Sequence, residues 1–342
     1  MKFFVKIFGC QYNEWDATRL SFLLKGAGLS ESTEKEAEIV YLMNCSVRKT
    51  GVDRALSMAK NYLASGQKVI VTGCILEPDQ KRFKEKGVVI WDGKDLDKIK
   101  GLFNGFRNIH LDSKFQIPNS SLIPIMTGCN NFCSYCAVPY TRGREISRPM
   151  EEILSDAKHA VESGEKEIVL LGQNVNSYNQ DNDKEGFAVL LEQINAIPGD
   201  FTVKFTSNHP KDMTDDIIEA VANLPKIVKE IHLPLQSGSN KILKAMNRPY
   251  TKEQYLALIN KIKARIPEIK ITTDSIVGFP GENEEDFQET VEVYRKVGFA
   301  QAFNNKYSPR EGTAAWKLGD PISWAEKQRR WRLLNDISYK KR

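Results

Sequence analysis

Residues 127–136 read Thr127-Gly128-Cys129-Asn130-Asn131-Phe132-Cys133-Ser134-Tyr135-Cys136, a Cys-x3-Cys-x2-Cys pattern set directly after an apolar run, Leu122–Thr127, that predicts a strand. A loop this compact wraps three corners of a four-iron, four-sulfur cube and leaves the fourth iron open to chelate a small molecule. A zinc knuckle wants a fourth ligand close by. The nearest histidine that follows, His159, falls in a helical pattern instead.

Downstream of these cysteines, strand and helix patterns alternate. The strands expected are Leu122–Thr127, Glu167–Leu171, Thr202–Thr206, Glu230–Pro234, Lys270–Val277 and Gln301–Tyr307. Helical patterns separate them, among them Met150–Ser163, Phe187–Asn195, Thr214–Asn223, Lys252–Arg265 and Glu284–Val297. Six such βα units predict a barrel or an open six-stranded part of one. Gly172, Gln173, Ser207 and Gln236 fall at predicted strand ends, and Gly278 just past the fifth strand. That rim is where barrel enzymes collect their active sites, although each residue alone also reads as turn chemistry. His209 and His232 read as packed or hydrogen-bonded rather than catalytic.

Upstream, the first hundred residues repeat the alternation. Lys2–Cys10, Ile39–Cys45, Lys68–Cys74 and Val88–Asp92 are strand-like, and Trp15–Lys25 and Thr50–Ala64 are helical. The fold class is therefore α/β, a parallel α/β sheet domain followed by a partial (β/α)6 barrel. The expected division is 1–110, 111–320 and a basic helical segment 321–342, with Asn104–Ser121 as linker.

Cys10, Cys45 and Cys74 each close one of the first three strands. In a parallel sheet the carboxyl ends converge on one edge, the edge where open α/β sheets bind ligands. Gly9 and Gly73 allow a tight turn beside a bulky group there. Three converging thiolates suit a second iron–sulfur cluster with one open iron. The competing reading is three buried cysteines acting as small hydrophobes.

Composition sets the outer bounds. A chain of 342 residues with 41% apolar and 27% charged residues is ordinary for a globular protein of two domains. Six cysteines are too few for a disulfide scaffold of this length, which favours metal or catalytic use in a reducing compartment. The charged amino-terminal stretch and the lack of a long apolar run predict a cytoplasmic protein with no membrane partner. Net charge is +5, and Trp324 to Arg342 holds seven Lys/Arg against two Asp/Glu. That excess points either to RNA or to a solvated helix face.

The Cys-x3-Cys-x-aromatic-Cys motif resembles the signature of the radical S-adenosylmethionine (SAM) superfamily. Its context narrows the likeness. Gly128–Arg148 reads GCNNFCSYCAVPYTRGREISR, and Gly172–Tyr178, Thr206–Pro210, His232–Ser239, Met246–Thr251, Asp274–Phe287 and Tyr307–Arg310 follow the same pattern, as does Asn44-Cys45-Ser46-Val47-Arg48. Together, from about Phe3 to about Trp316, they resemble the methylthiotransferases, and the Gly-Gln-Asn-Val-Asn-x-Tyr form favours the branch acting on dimethylallyladenosine in tRNA.

The resemblance implies two 4Fe-4S clusters, one on Cys129, Cys133 and Cys136 and one on Cys10, Cys45 and Cys74. It implies S-adenosylmethionine on the open iron of the first, with Tyr135 against its adenine and Gly172, Gln173, Ser207, Gln236 and Gly278 around it. One cofactor molecule would be cleaved to a 5′-deoxyadenosyl radical that takes hydrogen from C2 of an adenine, and methylthio would come from the second cluster. The implied partners are a tRNA anticodon stem-loop, an electron donor such as flavodoxin or ferredoxin, and a sulfur donor. Arg142, Arg144 and Arg148 are candidate phosphate contacts, with ion pairing to nearby carboxylates as the alternative.

Two departures stand out. The family usually has Asn-Thr-Cys where this chain has Met43-Asn44-Cys45, and it ordinarily continues into a small all-β RNA-binding TRAM domain, whereas this sequence stops at Arg342. Other readings left open are the same chemistry on threonylcarbamoyladenosine or a ribosomal-protein aspartate, and a non-catalytic zinc or iron–sulfur module that docks on RNA.

Overall fold

The computed structural model describes residues 1–93, 120–180 and 186–339. The chain divides into two compact units. The described part of the first comprises 1–93 with Ala137–Arg142 and Arg310–Gly312; that of the second comprises 120–136, Gly143–Pro309 and 313–339. The expected boundary at 110, and the linker up to residue 119, lie outside the described residues.

In the first unit, β1 (Lys2–Ile7), β2 (Ser30–Glu31), β3 (Ile39–Cys45), β4 (Lys68–Cys74) and β5 (Val89–Ile90) form one sheet in the order β2-β1-β3-β4-β5, every pair parallel. Helices α1 (Gln11–Gly26), α2 (Lys49–Ala64) and α3 (Glu77–Lys84) cover it, and the short α4 (Val138–Thr141) also belongs to this unit. The period of two in β3 explains its unbroken apolar run. Ile39, Tyr41 and Met43 pack in a core with Leu20 and Leu24 of α1, while Val40 and Leu42 face a second core with Val52 and Leu56 of α2. A strand buried on both faces has no polar side to alternate with. Each fully buried Leu or Ile here is worth roughly 1.5–3 kcal/mol over its exposed state.

The second unit carries β6 (Leu122–Pro124), β7 (Met126–Thr127), β8 (Ile146–Ser147), β9 (Glu167–Leu171), β10 (Thr202–Phe205), β11 (Glu230–His232), β12 (Lys270–Val277) and β13 (Gln301–Lys306). Two three-stranded parallel sheets, β6-β9-β10 and β11-β12-β13, follow chain order. Isolated parallel bridges, Val203 to Ile227 and Gln236 to Ser275, carry the pairing past the strand ends. Around them lie α5 (Met150–Glu162), α6 (Phe187–Asn195), α7 (Asp215–Asn223), α8 (Asn240–Ala245), α9 (Lys252–Arg265), α10 (Glu284–Val297) and α11 (Trp324–Tyr339). One core, including Ile168, Leu170, Val203, Ile231, Leu233, Ile271 and Ala302, joins the strands to these helices. Capping boxes at Thr251/Gln254 and Asn283/Asp286 fix where α9 and α10 begin.

Three differences from expectation have physical causes. The run Leu122–Thr127 is not one strand: β6 joins the parallel sheet, while β7 turns away to pair antiparallel with β8. Helix α1 begins at Gln11 rather than Trp15, so Cys10 is its N-cap. The basic C-terminal segment is helical, but it packs through Leu334 onto the second unit's core rather than standing apart. Its Lys327, Arg329 and Arg330 pair with Asp320, Glu284 and Glu282.

Candidate active site

The first unit gathers Cys10, Cys45 and Cys74 at the carboxyl edge of its sheet. Cys45 and Cys74 are register partners at the ends of β3 and β4. Cys10 follows β1, the neighbour of β3, and caps α1, whose N-terminal amides favour an anionic group. The fully buried Asn13 ties the first two of these turns together. Its Nδ2 donates to the Asn44 carbonyl (2.9 Å), and its Oδ1 accepts from the Cys10 thiol (3.5 Å). Gly73 has φ +93°, and a Cβ there would lie 2.7 Å from the Asn44 oxygen, so only glycine fits. Burial pushes the Cys74 thiol up to about 12, opposed by Arg142; Cys45 and Cys10 add to the rise because the three sulfurs lie close enough to repel one another as anions. Burial also raises Cys45, with Cys10 again adding.

A buried network braces the same edge. The Ser46 hydroxyl donates to Asp79 Oδ2 (2.8 Å) and accepts from the Leu76 amide (3.1 Å), and Asp79 pairs with Arg310. Arg142 reaches in with Nε 2.9 Å from Cys74 Sγ and Nη2 2.7 Å from Asp16 Oδ2.

In the second unit, the loop from Cys129 to Cys136 is held from several directions. The Gly128 amide donates to Gln173 Oε1 (2.6 Å), and the Cys129 amide to the Gly143 carbonyl (3.2 Å). The Ser134 amide and hydroxyl donate to the carbonyls of Met246 and Ala245 (both 2.9 Å), and Asn247 Nδ2 donates to the carbonyls of Asn131 (3.2 Å) and Phe132 (3.0 Å). Arg248, only 7% exposed, places Nη1 3.4 Å from Cys133 Sγ while Nε and Nη2 donate to Tyr250 Oη and the Pro234 carbonyl (both 2.9 Å). Burial raises the Cys129 thiol, the Asn131 amide opposes this, and the neighbouring Cys133 adds to it.

The other residues singled out from sequence are distributed as follows. Gly172 follows β9 against the Met126 side chain, Ser207 and Gln236 lie past β10 and β11 in the left-handed region (φ +67° and +65°), and Tyr135 packs against the cluster of Met246, Phe279 and Tyr307. Gly278 is buried beneath the Lys327 side chain, and its amide donates to Glu282 Oε2 (2.5 Å). Arg142 and Arg148 are engaged by protein carboxylates, Asp16 for the first and Asp156 (2.9 Å) for the second. Arg144 is exposed and lies 4.3 Å over the Phe132 ring. His209 and His232 are both in hydrogen bonds: His209 Nδ1 accepts from the Lys211 amide (3.2 Å), and His232 Nε2 meets Asp274 (2.9 Å).

Sequence reading missed Asn13, Asp16, Asp79, Asn247 and Arg248. Only Asn247 and Arg248 had a signal, as part of the Met246–Thr251 motif, and nothing in the sequence said that they touch the cysteine loop.

These surroundings fit the groups that the motifs imply. Asn174 Oδ1, Asn208 Oδ1, His209 Nε2 and Gln236 Oε1 are buried at the second unit's strand ends with no protein partner, and Asn44 Oδ1 is the same in the first. Buried polar atoms left over in this way mark a place for water or a polar ligand. Two non-glycine residues held left-handed at adjacent strand ends are the strain expected at a ligand clamp. The six cysteines form no disulfide, and among the described residues no group of three or more His, Cys, Asp or Glu could hold a single metal ion. Among the described residues no helix is long and apolar enough to cross a membrane.

Comparison with known proteins supplies the wider context. Residues 123–294 match the Radical SAM superfamily, and residues 2–91 match the Uncharacterized protein family UPF0004. The chain is 39% identical to the tRNA-2-methylthio-N(6)-dimethylallyladenosine synthase of Thermotoga petrophila, over 98% of this chain and 81% of that one. It is 40% identical to the synthase of the same name from Clostridium botulinum (strain Okra / Type B1), over 99% and 83%. Among solved structures it resembles the radical S-adenosylmethionine methyltransferase TsrM of Kitasatospora setae, with TM-score 0.63 at 11% identity, covering 92% of this chain and 77% of that one. That last likeness is one of fold.

Proposed function

The chain belongs to the radical SAM methylthiotransferase family, and from that premise we propose that it adds a methylthio group to C2 of N6-dimethylallyladenosine at position 37 of tRNA, next to the anticodon. The observation that carries this reading is the pair of cysteine triads at strand ends, each with a guanidinium against one of its sulfurs, in a chain about 40% identical to synthases of that name over nearly its whole length.

Cys129, Cys133 and Cys136 would hold a 4Fe-4S cluster, and Cys10, Cys45 and Cys74 an auxiliary one. When bound, the first cluster and S-adenosylmethionine supply one-electron cleavage of a sulfonium, a route to an aromatic C–H bond that acid–base chemistry does not open. The chain's own residues bind, orient and neutralise. Gln173, Asn247 and Ser134 fix the loop that presents the first triad. Arg248 places a charged N–H donor against Cys133 Sγ in a buried setting, a fixed partner for that sulfur. Gln236 Oε1 and Asn208 Oδ1 are acceptors waiting for donors such as an amine, a hydroxyl or an exocyclic amino group. Tyr135 offers an aromatic face beside the loop, the usual support for an adenine.

The substrate base must leave its stack, which costs a few kcal/mol or less in a single-stranded anticodon loop. Arg144 is the exposed member of the three arginines named for phosphate contact. An electron donor of the flavodoxin or ferredoxin type and a source of sulfur complete the reaction. The test is mass spectrometry of tRNA nucleosides from cells lacking this protein: the 2-methylthio form should vanish and the dimethylallyl precursor accumulate, and an unchanged pattern would overturn the assignment.

A further inference from the structure

The sequence offers Arg142 either as a phosphate contact or as an ion-pair partner, and the structure shows it engaged inside the first unit. It is 12% exposed at its side chain, and two edges and one face of the guanidinium are engaged within the first unit. Nε is 2.9 Å from Cys74 Sγ, Nη2 is 2.7 Å from Asp16 Oδ2, and the plane lies 4.0 Å over the Tyr12 ring. Tyr12 and Asp16 share α1, the helix that Cys10 caps, so the fork is aimed by the same element that positions one of the three thiols.

We propose that Arg142 is the electrostatic positioning residue of the auxiliary cluster, holding a charged N–H against the Cys74 sulfur and thereby stabilising the cluster's more reduced state. The inference rests on the reading that Cys10, Cys45 and Cys74 hold that cluster. The physical reason is simple. A cube ligated by three thiolates becomes one unit more negative when it takes up one electron, and no other bond is made or broken. An N–H donor on a ligand sulfur favours the more anionic state, and more so where water is excluded. Asp16 does two opposing things: it fixes the rotamer of Arg142, and it returns a negative charge to the neighbourhood.

That opposition supplies a test which a purely structural role would not pass. In the full chain carrying Cys129→Ala, Cys133→Ala and Cys136→Ala, any remaining cluster belongs to the N-terminal triad. Anaerobic iron and sulfide analysis comes first, then an EPR-monitored potentiometric titration with dithionite. Arg142→Met should lower the midpoint potential, with the reduced-to-oxidised ratio falling tenfold or more at fixed potential, about 59 mV for one electron. Arg142→Lys should recover part of the shift. Asp16→Asn should move it the other way. No shift in Arg142→Met, or shifts of the same sign in Arg142→Met and Asp16→Asn, would overturn the inference. Should Arg142→Met fail to accumulate, Asp16→Asn decides alone, an upward shift supporting and any other result overturning. A parent protein with Arg142 intact but no iron would instead sink the auxiliary-cluster reading, and the inference with it.

Discussion

Nη1 of Arg248 lies 3.4 Å from the sulfur of Cys133, although the two residues are 115 positions apart. The guanidinium is buried, and its other edges are taken by the Tyr250 hydroxyl and the Pro234 carbonyl, so its position is overdetermined. Loss of a hydrogen-bonded charge of this kind costs about 1.5–3 kcal/mol. Arg248→Met should therefore reduce folding stability by about 2 kcal/mol. It should also slow 5′-deoxyadenosine release by about tenfold per cluster, equivalent to ~1.4 kcal/mol. Urea melts, and initial rates normalised to bound iron, check the two effects separately.

The brace behind Cys45 and Cys74 is the second point of leverage. Asp79 and Arg310 are 6% and 5% exposed at their side chains, and Ser46 and Leu76 hang from the same carboxylate network. Asp79→Ala removes the carboxylate facing a buried guanidinium and should cost about 3 kcal/mol or more. Asp79→Asn, which keeps an acceptor for Ser46, should cost less. Chemical denaturation of both variants gives the order.

His209 makes stability depend on pH. Burial, reinforced by Arg248 and Lys211, lowers its imidazole from 6.5 to about 2. The unfolded chain thus binds a proton that the folded chain refuses, between about pH 6.5 and 2. Stability falls as pH drops through that window and is unaffected by this group above it. From pH 7.5 to pH 5.5 the loss from His209 should be roughly 1 kcal/mol. His209→Gln should flatten that part of the difference. An equal pH dependence in the variant would refute the assignment.

Arg144 is exposed over Phe132, beside the cysteine loop. If it contacts RNA phosphate, Arg144→Ala should weaken binding of an anticodon stem-loop about equally for all sequences. It should also reduce the slope of log K against log salt by about 1. Fluorescence anisotropy across a salt series measures both.

The sequence made the regular elements legible where burial is strongest. Ile39–Cys45, Lys68–Cys74, Glu167–Leu171 and Lys270–Val277 match the sequence pattern to the residue because the first three are apolar over most of their length, the last is mostly β-branched, and all end at polar or glycine-bearing turns. The helices Phe187–Asn195, Lys252–Arg265 and Glu284–Val297 were equally clear, two of them marked by capping boxes. The start of α1 was not, since its N-cap is Cys10 and makes no side-chain capping bond that a pattern could reveal. Short helices such as Asn240–Ala245 carry too few turns for a period to show. Around the cysteines, the spacing identified the thiols but not their company. Arg248 meets Cys133 across 115 residues and Arg142 meets Cys74 across 68, contacts that only the folded chain brings about.

The division of labour between the two triads is the centre of the account. Its most direct test is to quantify 5′-deoxyadenosine and methylthiolated stem-loop RNA side by side, anaerobically, in two triple variants. With Cys10, Cys45 and Cys74 replaced by Ala, 5′-deoxyadenosine should still form while methylthiolation stops. With Cys129, Cys133 and Cys136 replaced, both should stop. Methylthiolated RNA from the first variant, or 5′-deoxyadenosine from the second, would contradict it.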